Sequence, residues 1–430
     1  MASSQIPVEV ELAFELMPCQ AERVAQTPGP TPHACSYFRE WGTYHSFDYK
    51  TAGPPKPGMQ TTAEYVGRAP LVPEMLSGCR KAPLMAVGIN PNLPGWWAPL
   101  RSSLNPLFDD YRQYAHYFRW RGTSKPELSK ADYAAFGGGG PGDTPPDGTL
   151  QLNVPPGADG GYPLNLLWRS QQMYLEYQGL LDGLAHAMGW PDGRLAVGED
   201  LSYGNMVACP SAKWVTGNPV PPDNLPGMTD TQKVGIVSEC FRQRKYFLRQ
   251  LFQSLPSVIV VFSQNTASTF IGELQGRFSK GDPKNTDTIE ELMSREVILH
   301  YGDLPDGRSL DARVVFGPHP TGSPAAWAAG KPKVLAQLVA AARQGRLTFN
   351  TATRRLARPP GSCAFCPILD VGPCDYRSEL TPLELQPTLT ADRIPGIGPD
   401  KATQQSLMGA FLSDLNPAPG LWSDDEASED

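Results

Sequence analysis

Apolar residues along the chain gather in four short continuous runs, each followed by a stretch of helical period. The runs are LMAVGIN (84–90), YGNMVAC (203–209), SVIVVFSQ (257–264) and ARVVFGPHP (312–320). Runs of this length flanked by turn residues read as buried strands. Apolar residues at three- and four-residue spacing predict helices over Asn105–Trp120, Leu166–Met188, Thr231–Leu255 and Lys331–Gln344. Fully apolar strands alternating with helices indicate a mainly parallel sheet covered on both faces. The expected fold is therefore α/β, three layers deep, around a four-stranded mainly parallel sheet.

The remaining chain divides by composition. Residues 1–82 are rich in proline and turn formers and read as an N-terminal arm packed on the core, most regular around Val8–Leu16. The core itself is expected over 83–345. About 110 residues separate the first two strands, far more than a connection needs. They predict an insertion over 93–200 that carries the aromatic run Phe108, Tyr111, Tyr114, Tyr117, Phe118 and Trp120 and the low-complexity loop FGGGGPGDTPPDG. Residues 346–422 are cysteine-rich, and 423–430 form an acidic tail expected to be disordered.

Charge sharpens the picture. The net charge is −7, but without the five acids of Asp424–Asp430 the chain holds 39 acids against 37 bases. Between Ala312 and Leu369 there is no acid, while Arg313, Lys331, Lys333, Arg343, Arg346, Arg354, Arg355 and Arg358 all fall there. Such a segment is either a solvated basic face or a surface that tracks phosphates. No apolar run reaches membrane-spanning length and the first residues lack a basic leader, so a cytoplasmic protein without membrane contact is expected. No Walker loop, GxGxxG, HExxH or GxSxG occurs, which argues against nucleotide hydrolysis and dinucleotide chemistry.

Eight cysteines in such a chain read as thiols or metal ligands. Cys363-x2-Cys366-x7-Cys374 is the strongest spacing signal, because a CxxC turn delivers two thiolates to one metal. Ligands in parallel sheets sit at the carboxyl ends of the strands. Those ends carry Gly88-Ile89-Asn90-Pro91, Asn205, Ser263-Gln264-Asn265 and His319-Pro320-Thr321-Gly322. Taken singly, each is an ordinary turn or packing residue. Together they converge on one site.

The motifs GINPN and HPTG, with NMVACP and SECFRQRKYFLRQLFQSLPSVIVVFSQNTA between them, resemble the uracil-DNA glycosylase superfamily in order and spacing. GINPN is similar to the water-activating motif of its mismatch-specific and thymine branch, and Asn205, four residues before Cys209, to the base-reading position of its iron–sulfur branch. The resemblance covers roughly 83–92 and 203–345. It departs in three places: the His motif lacks the Ser-Pro of many members, Cys209 and Cys240 stand further apart, and the N-terminal CxxC is missing.

What the resemblance implies is base excision from DNA by a monomer. Asn90 would hold water, His319 would stabilise the departing base, and Asn205 would read the base edge with Ile89, Pro91, Trp96 and Trp97 around it. Ser263, Gln264, Asn265, Thr321, Gly322 and Ser323 are the implied DNA contacts, joined by Arg354 and Arg355 of the basic segment. A four-iron iron–sulfur cluster is implied on four of Cys79, Cys209, Cys240, Cys363, Cys366 and Cys374, with zinc as the alternative. TADRIPGIGPDKA resembles a helix-hairpin-helix turn in which Gly396 and Gly398 offer amides to a phosphate. A Schiff-base lyase through Lys213 or Lys245 finds no support at the strand ends. The base stays open between uracil in repair and a bulky hypermodified pyrimidine, such as glucosylated hydroxymethylcytosine, in phage defence. A DNA-binding metalloprotein that keeps the fold without catalysis is the alternative.

Overall fold

The structure, a computed structural model, describes residues 73–91, 168–190, 195–209, 230–359 and 406–411, with scattered residues at 12–13, 15–16, 19, 35, 114–115, 118–119, 214, 363 and 365–366. Its strands are β1 (Leu84–Gly88), β2 (Leu201–Asn205), β3 (Val258–Phe262), β4 (Phe278–Lys280), β5 (Val297–Asp303) and β6 (Ser309–Gly317). They form one mixed, mostly parallel sheet in the order β2-β1-β3-β6-β5-β4. The four apolar runs of the sequence are its parallel part, β2-β1-β3-β6.

The sheet has six strands, not the expected four. β5 runs antiparallel to β6, and β4 antiparallel to β5. β5 reads VILHYGD with a partly exposed second half, and β4 has only three residues. Half-exposed antiparallel strands lack the continuous apolar run that marks a buried parallel strand.

Helix α1 (Trp168–Met188) and helix α6 (Pro324–Arg343) pack together on one face. Their rings make a continuous aromatic seam over the sheet. Tyr174 and Tyr177 of α1 meet Tyr203 of β2, Tyr177 stacks on Phe262 of β3 at 5.1 Å, and Phe262 meets Trp327 of α6 edge-on. Glu176 of α1 accepts from Trp327 Nε1 at 2.8 Å and from Lys331 Nζ at 2.6 Å, which fixes α6 on α1. α6 begins seven residues before the expected Lys331, because its first two turns, PAAWAAG, have no apolar period and carry a helix-starting proline.

The expected Thr231–Leu255 helix is broken into α2 (Asp230–Val237), a π-helical segment (Ser238–Gln243) and α3 (Tyr246–Ser254), with Lys245 at φ 59° between them. The π turn places Cys240 inward among buried neighbours. α3 covers the opposite face at β2, where Gly204 leaves room for Phe247 and Leu76. Buried Lys81 donates to the carbonyls of Gln253 and Ser254, both at 3.1 Å, and so satisfies the end of α3. The free edge of β2 is closed by Ser77, which exchanges both backbone hydrogen bonds with Tyr203. Helix α4 (Gln264–Glu273) follows β3, and helix α5 (Ile289–Met293) precedes β5. A small antiparallel pair, β7 (Phe349–Asn350) and β8 (Arg355–Leu356), follows α6. No described helix is long and apolar enough to cross a membrane.

Candidate active site and two cysteine groups

Strand register sets the frame of the site. Asn205 is level with Gly88, Val87 with Val261, and Phe262 with Gly317, so the four parallel strands end in one row. At about 4.8 Å between strands, the row spans about 14 Å from β2 to β6. Asn205 ends one side, Ile89-Asn90-Pro91 leaves the middle, and Pro318-His319 leaves the other side.

His319 is the most constrained of these side chains. Its Nδ1 accepts from the backbone N–H of Gly322 at 2.9 Å and of Thr321 at 3.2 Å. An imidazole nitrogen that accepts carries no proton, so the ring is neutral with its hydrogen on Nε2. Burial pushes its pKa below the ordinary histidine value, which favours the same neutral form. Gly322 permits this geometry, since a Cβ there would stand 3.2–3.3 Å from the ring. Thr321, Gly322 and Ser323 are exposed, and Ser323 is the N-cap of α6.

Asn205 is nearly enclosed, at 9% exposure, and its Oδ1 accepts from the Tyr203 hydroxyl at 2.8 Å. That bond fixes which end of the amide points where. It lies directly over Gly88, where a Cβ would stand 2.3 Å from the Tyr203 oxygen and 2.8 Å from Asn205 Oδ1. Tyr203 is a site residue the sequence reading missed; its place two residues before Asn205 on the same strand face was the available signal. Asn90 is half-buried and its Nδ2 donates to the Pro91 carbonyl at 3.0 Å. Ile89 is partly buried, with its carbonyl taken by Val207 N–H at 2.9 Å, and Pro91 is buried.

After β3, Ser263 has φ 81°, an unusual conformation for a residue with a side chain. Its N–H to Gly317 O, at 2.9 Å, and its hydroxyl capping Thr266 N–H hold it there. Gln264 clamps the following loop, donating to Asp287 O at 2.8 Å and accepting from Ile289 N–H at 3.0 Å. Asn265 is exposed and donates to Trp214 O at 3.4 Å.

The basic segment divides. Arg354 is exposed, but Arg355 pairs with buried Asp200 at 3.2 Å, Arg358 reaches Glu199 at 3.4 Å, and Arg313 is buried beside Glu296 at 3.1 Å. Each of these three guanidiniums is tied to a carboxylate from a distant segment, which makes it an internal cross-link. Tyr114 and Phe118 of the aromatic run are likewise core residues, at 0% and 2% exposure. Trp96, Trp97, Phe108, Tyr111, Tyr117, Trp120, Lys213, Cys374, Gly396 and Gly398 lie outside the described residues or their side chains do. Lys245 sits at the break before α3.

The cysteines separate into two groups. Cys209 and Cys240 line one pocket with Cys19 and Cys35, two cysteines the sequence reading left aside; Val207, Ile236, Glu239, Arg244 and Tyr246 are among its other lining residues. Cys240 Sγ accepts from Ala208 N–H at 3.3 Å, while burial pushes its thiol up to about 12. Burial lowers the Arg80 guanidinium to about 10, against the raising influence of Cys366, Cys363 and Cys79. None of the seven described cysteines is in a disulfide. Among the described residues no three ligand groups stand at the spacing of a single-ion site.

No protein-family model matches the chain, and a comparison with curated proteins returns no match.

Proposed function

We propose that the protein is a DNA glycosylase that extrudes a modified or damaged pyrimidine and hydrolyses its N-glycosidic bond, leaving an abasic site. The observation that carries this reading is His319, a neutral imidazole whose Nδ1 is occupied by two amides and whose Nε2–H is thereby the donor. In the reaction the bond from C1′ to the base nitrogen breaks, both electrons leave with the base, and negative charge grows on its carbonyl oxygen. A preorganised N–H donor stabilises that charge without giving up its proton. The N-termini of α4 and α6, which start beside the same strand ends, add favourable dipoles for an anion.

Asn205 reads the base, with Tyr203 orienting its amide. Asn90 Oδ1 accepts from the water whose oxygen bonds to C1′; the two protons of that water end on the new hydroxyl and on the released base. An amide is a weak base, so departure of the base leads and water follows. In this reading the α/β core is a uracil-DNA glycosylase-like α/β/α sandwich, and the protein acts on DNA as a cytoplasmic monomer. The long insertion is read as making room for a base bulkier than uracil: a hypermodified cytosine in defence against phage, with uracil in repair as the simpler substrate.

The pocket of Cys19, Cys35, Cys209 and Cys240 fits a four-iron cluster in donor type and number. Four thiols around one space, with an amide N–H already on Cys240 Sγ, suit sulfur ligation, and such a cluster supplies structural cross-linking there rather than chemistry at the strand ends. Loading must displace the thiol protons that burial favours.

The test is a DNA cleavage assay that reads alkali-labile sites. Asn90→Ala and His319→Ala should each lower turnover at least 100-fold while DNA affinity stays within about tenfold. Unchanged turnover in both would remove the site assignment. Salt-dependent DNA binding with no abasic product from any variant or the wild type would instead favour a non-catalytic DNA-binding protein.

A further inference from the structure

Helix α1 holds the row of strand ends through three neighbouring residues. Tyr174 and Tyr177 pack on Tyr203, which orients Asn205, and Tyr177 also stacks on Phe262, the last residue of β3. Glu176, between them, is turned to α6. Its Oε2 accepts from both Trp327 Nε1 at 2.8 Å and Lys331 Nζ at 2.6 Å. Burial alone would raise the Glu176 pKa, but these two donors outweigh it and hold the carboxyl below its ordinary value, so it is charged at neutral pH.

The start of α6 needs such a tie. Its N-cap, Ser323, makes no side-chain cap hydrogen bond, and residues 321–326 are exposed. A helix N-terminus without a cap leaves its first amides unsatisfied and is prone to fray. Yet the two amides that occupy His319 Nδ1, those of Thr321 and Gly322, lie in the turn directly before it. Trp327, 4% exposed, is the first buried side chain of α6; its N–H donates to Ser323 O at 2.9 Å, and its ring meets Phe262 at 5.7 Å. A short path therefore leads from Glu176 through Trp327 and Ser323 to the Gly322 amide on His319. The next turn of α6 presses on the strand end without slack: a Cβ on Gly330 would stand 2.6 Å from the Pro318 ring. Pro318 precedes His319, so a shift of α6 reaches the imidazole from both ends of its turn.

We infer that Glu176 is a positioning residue for His319: by fixing Trp327 and Lys331 it holds the start of α6 where the Thr321 and Gly322 amides meet Nδ1, and so keeps the ring's hydrogen on Nε2. The inference rests on the reading of His319 as donor to the departing base. It extends that reading to the long connection between β1 and β2, to which α1 belongs, and gives that segment a part in the chemistry besides any contact with substrate.

Backbone amide exchange and the nitrogen shifts of the histidine rings are read on the full-length protein and on Glu176→Ala, Glu176→Gln and Trp327→Phe, with His319 assigned by its loss in His319→Asn. In Glu176→Ala the Thr321 and Gly322 amides should exchange about tenfold faster, while those of Val260 in β3 and Val315 in β6 keep their rates. The His319 ring should then show both neutral tautomers in place of Nε2–H alone. Trp327→Phe keeps a ring against Phe262 and should give the same result; it carries the test if Glu176→Ala does not fold. Glu176→Gln, whose Oε1 can still accept from Trp327, should restore most of the protection. In base release, Glu176→Ala should lower kcat about 5- to 20-fold with KM within about twofold. Unchanged exchange at Thr321 and Gly322 with an unchanged tautomer overturns the inference. So does an equal rise across β3 and β6, which marks a purely structural tie. Local loosening in a protein that releases no base would leave the positioning role standing and remove the glycosylase reading alone.

Discussion

Replacing Tyr203 by Phe removes one oxygen atom and isolates its bond to Asn205. The Tyr203 ring is 8% exposed and is held by Tyr174 and Tyr177, contacts that Phe preserves. What disappears is the 2.8 Å bond to Asn205 Oδ1. A neutral buried hydrogen bond is worth about 0.5–1.5 kcal/mol net, and an acceptor left unsatisfied about 1–3 kcal/mol. Asn205 is nearly buried, so the stability loss should fall near 1–2 kcal/mol, read as a lowered urea midpoint at unchanged slope. In activity, an amide free to turn over presents its donor and acceptor in the wrong order part of the time. kcat/KM should drop about 5- to 30-fold, the equivalent of 1–2 kcal/mol. The decisive arm is a double-mutant cycle: added to Asn205→Ala, Tyr203→Phe should change kcat/KM by less than twofold, because there is no amide left to orient. If the two losses simply multiply, Tyr203 does not act through Asn205 and the reasoning fails.

The His319 geometry makes two further predictions. Burial lowers its folded-state pKa below the ordinary 6.5, so the neutral donor persists into mildly acid solution and the acid limb of kcat/KM against pH should have its midpoint below 6.5. Above 6.5 both folded and unfolded rings are neutral; as pH falls through 6.5 the unfolded chain takes up the proton first, so His319 lowers stability until the folded pKa is also passed. An acid limb above 6.5 that vanishes in His319→Asn would contradict this. Gly322→Ala, whose Cβ must displace the His319 ring by a few tenths of an ångström, should lower turnover about tenfold with stability changed by less than about 1 kcal/mol, compared by assay and melting. Lys81→Met strips the donor from the Gln253 and Ser254 carbonyls and should cost about 2–4 kcal/mol in urea unfolding; a loss under about 0.5 kcal/mol would deny the cap its role.

The parallel half of the sheet was legible because its strands are buried on both faces: VIVVF and LMAVG are apolar at every position. The antiparallel edge was not, since His300, Gly302 and Asp303 of β5 break the run that a buried strand keeps. The row of Asn90, Asn205 and His319 followed from strand ends and order alone. Tyr203 did not, because a tyrosine on a buried strand reads as core, and most of this one is core. The ion pairs of the arginines were hidden for a related reason. Arg313, Arg355 and Arg358 form a basic stretch in sequence, yet their partners Glu296, Asp200 and Glu199 come from distant segments. The cysteines needed the third dimension most. Spacing singled out Cys363 and Cys366, whereas Cys19 and Cys35 gain meaning only when the fold brings them to Cys209 and Cys240.

The central claim is that base and sugar are parted at the row of strand ends. Mass spectrometry of bases released from defined DNAs tests it most directly, using uracil, thymine mismatches, hypoxanthine and phage DNA with plain, hydroxymethylated or glucosylated cytosine. The account predicts one free base, with the insertion favouring the glucosylated substrate, and its loss in His319→Ala. No base released from any of these DNAs, by wild-type protein with its metal intact, would contradict it.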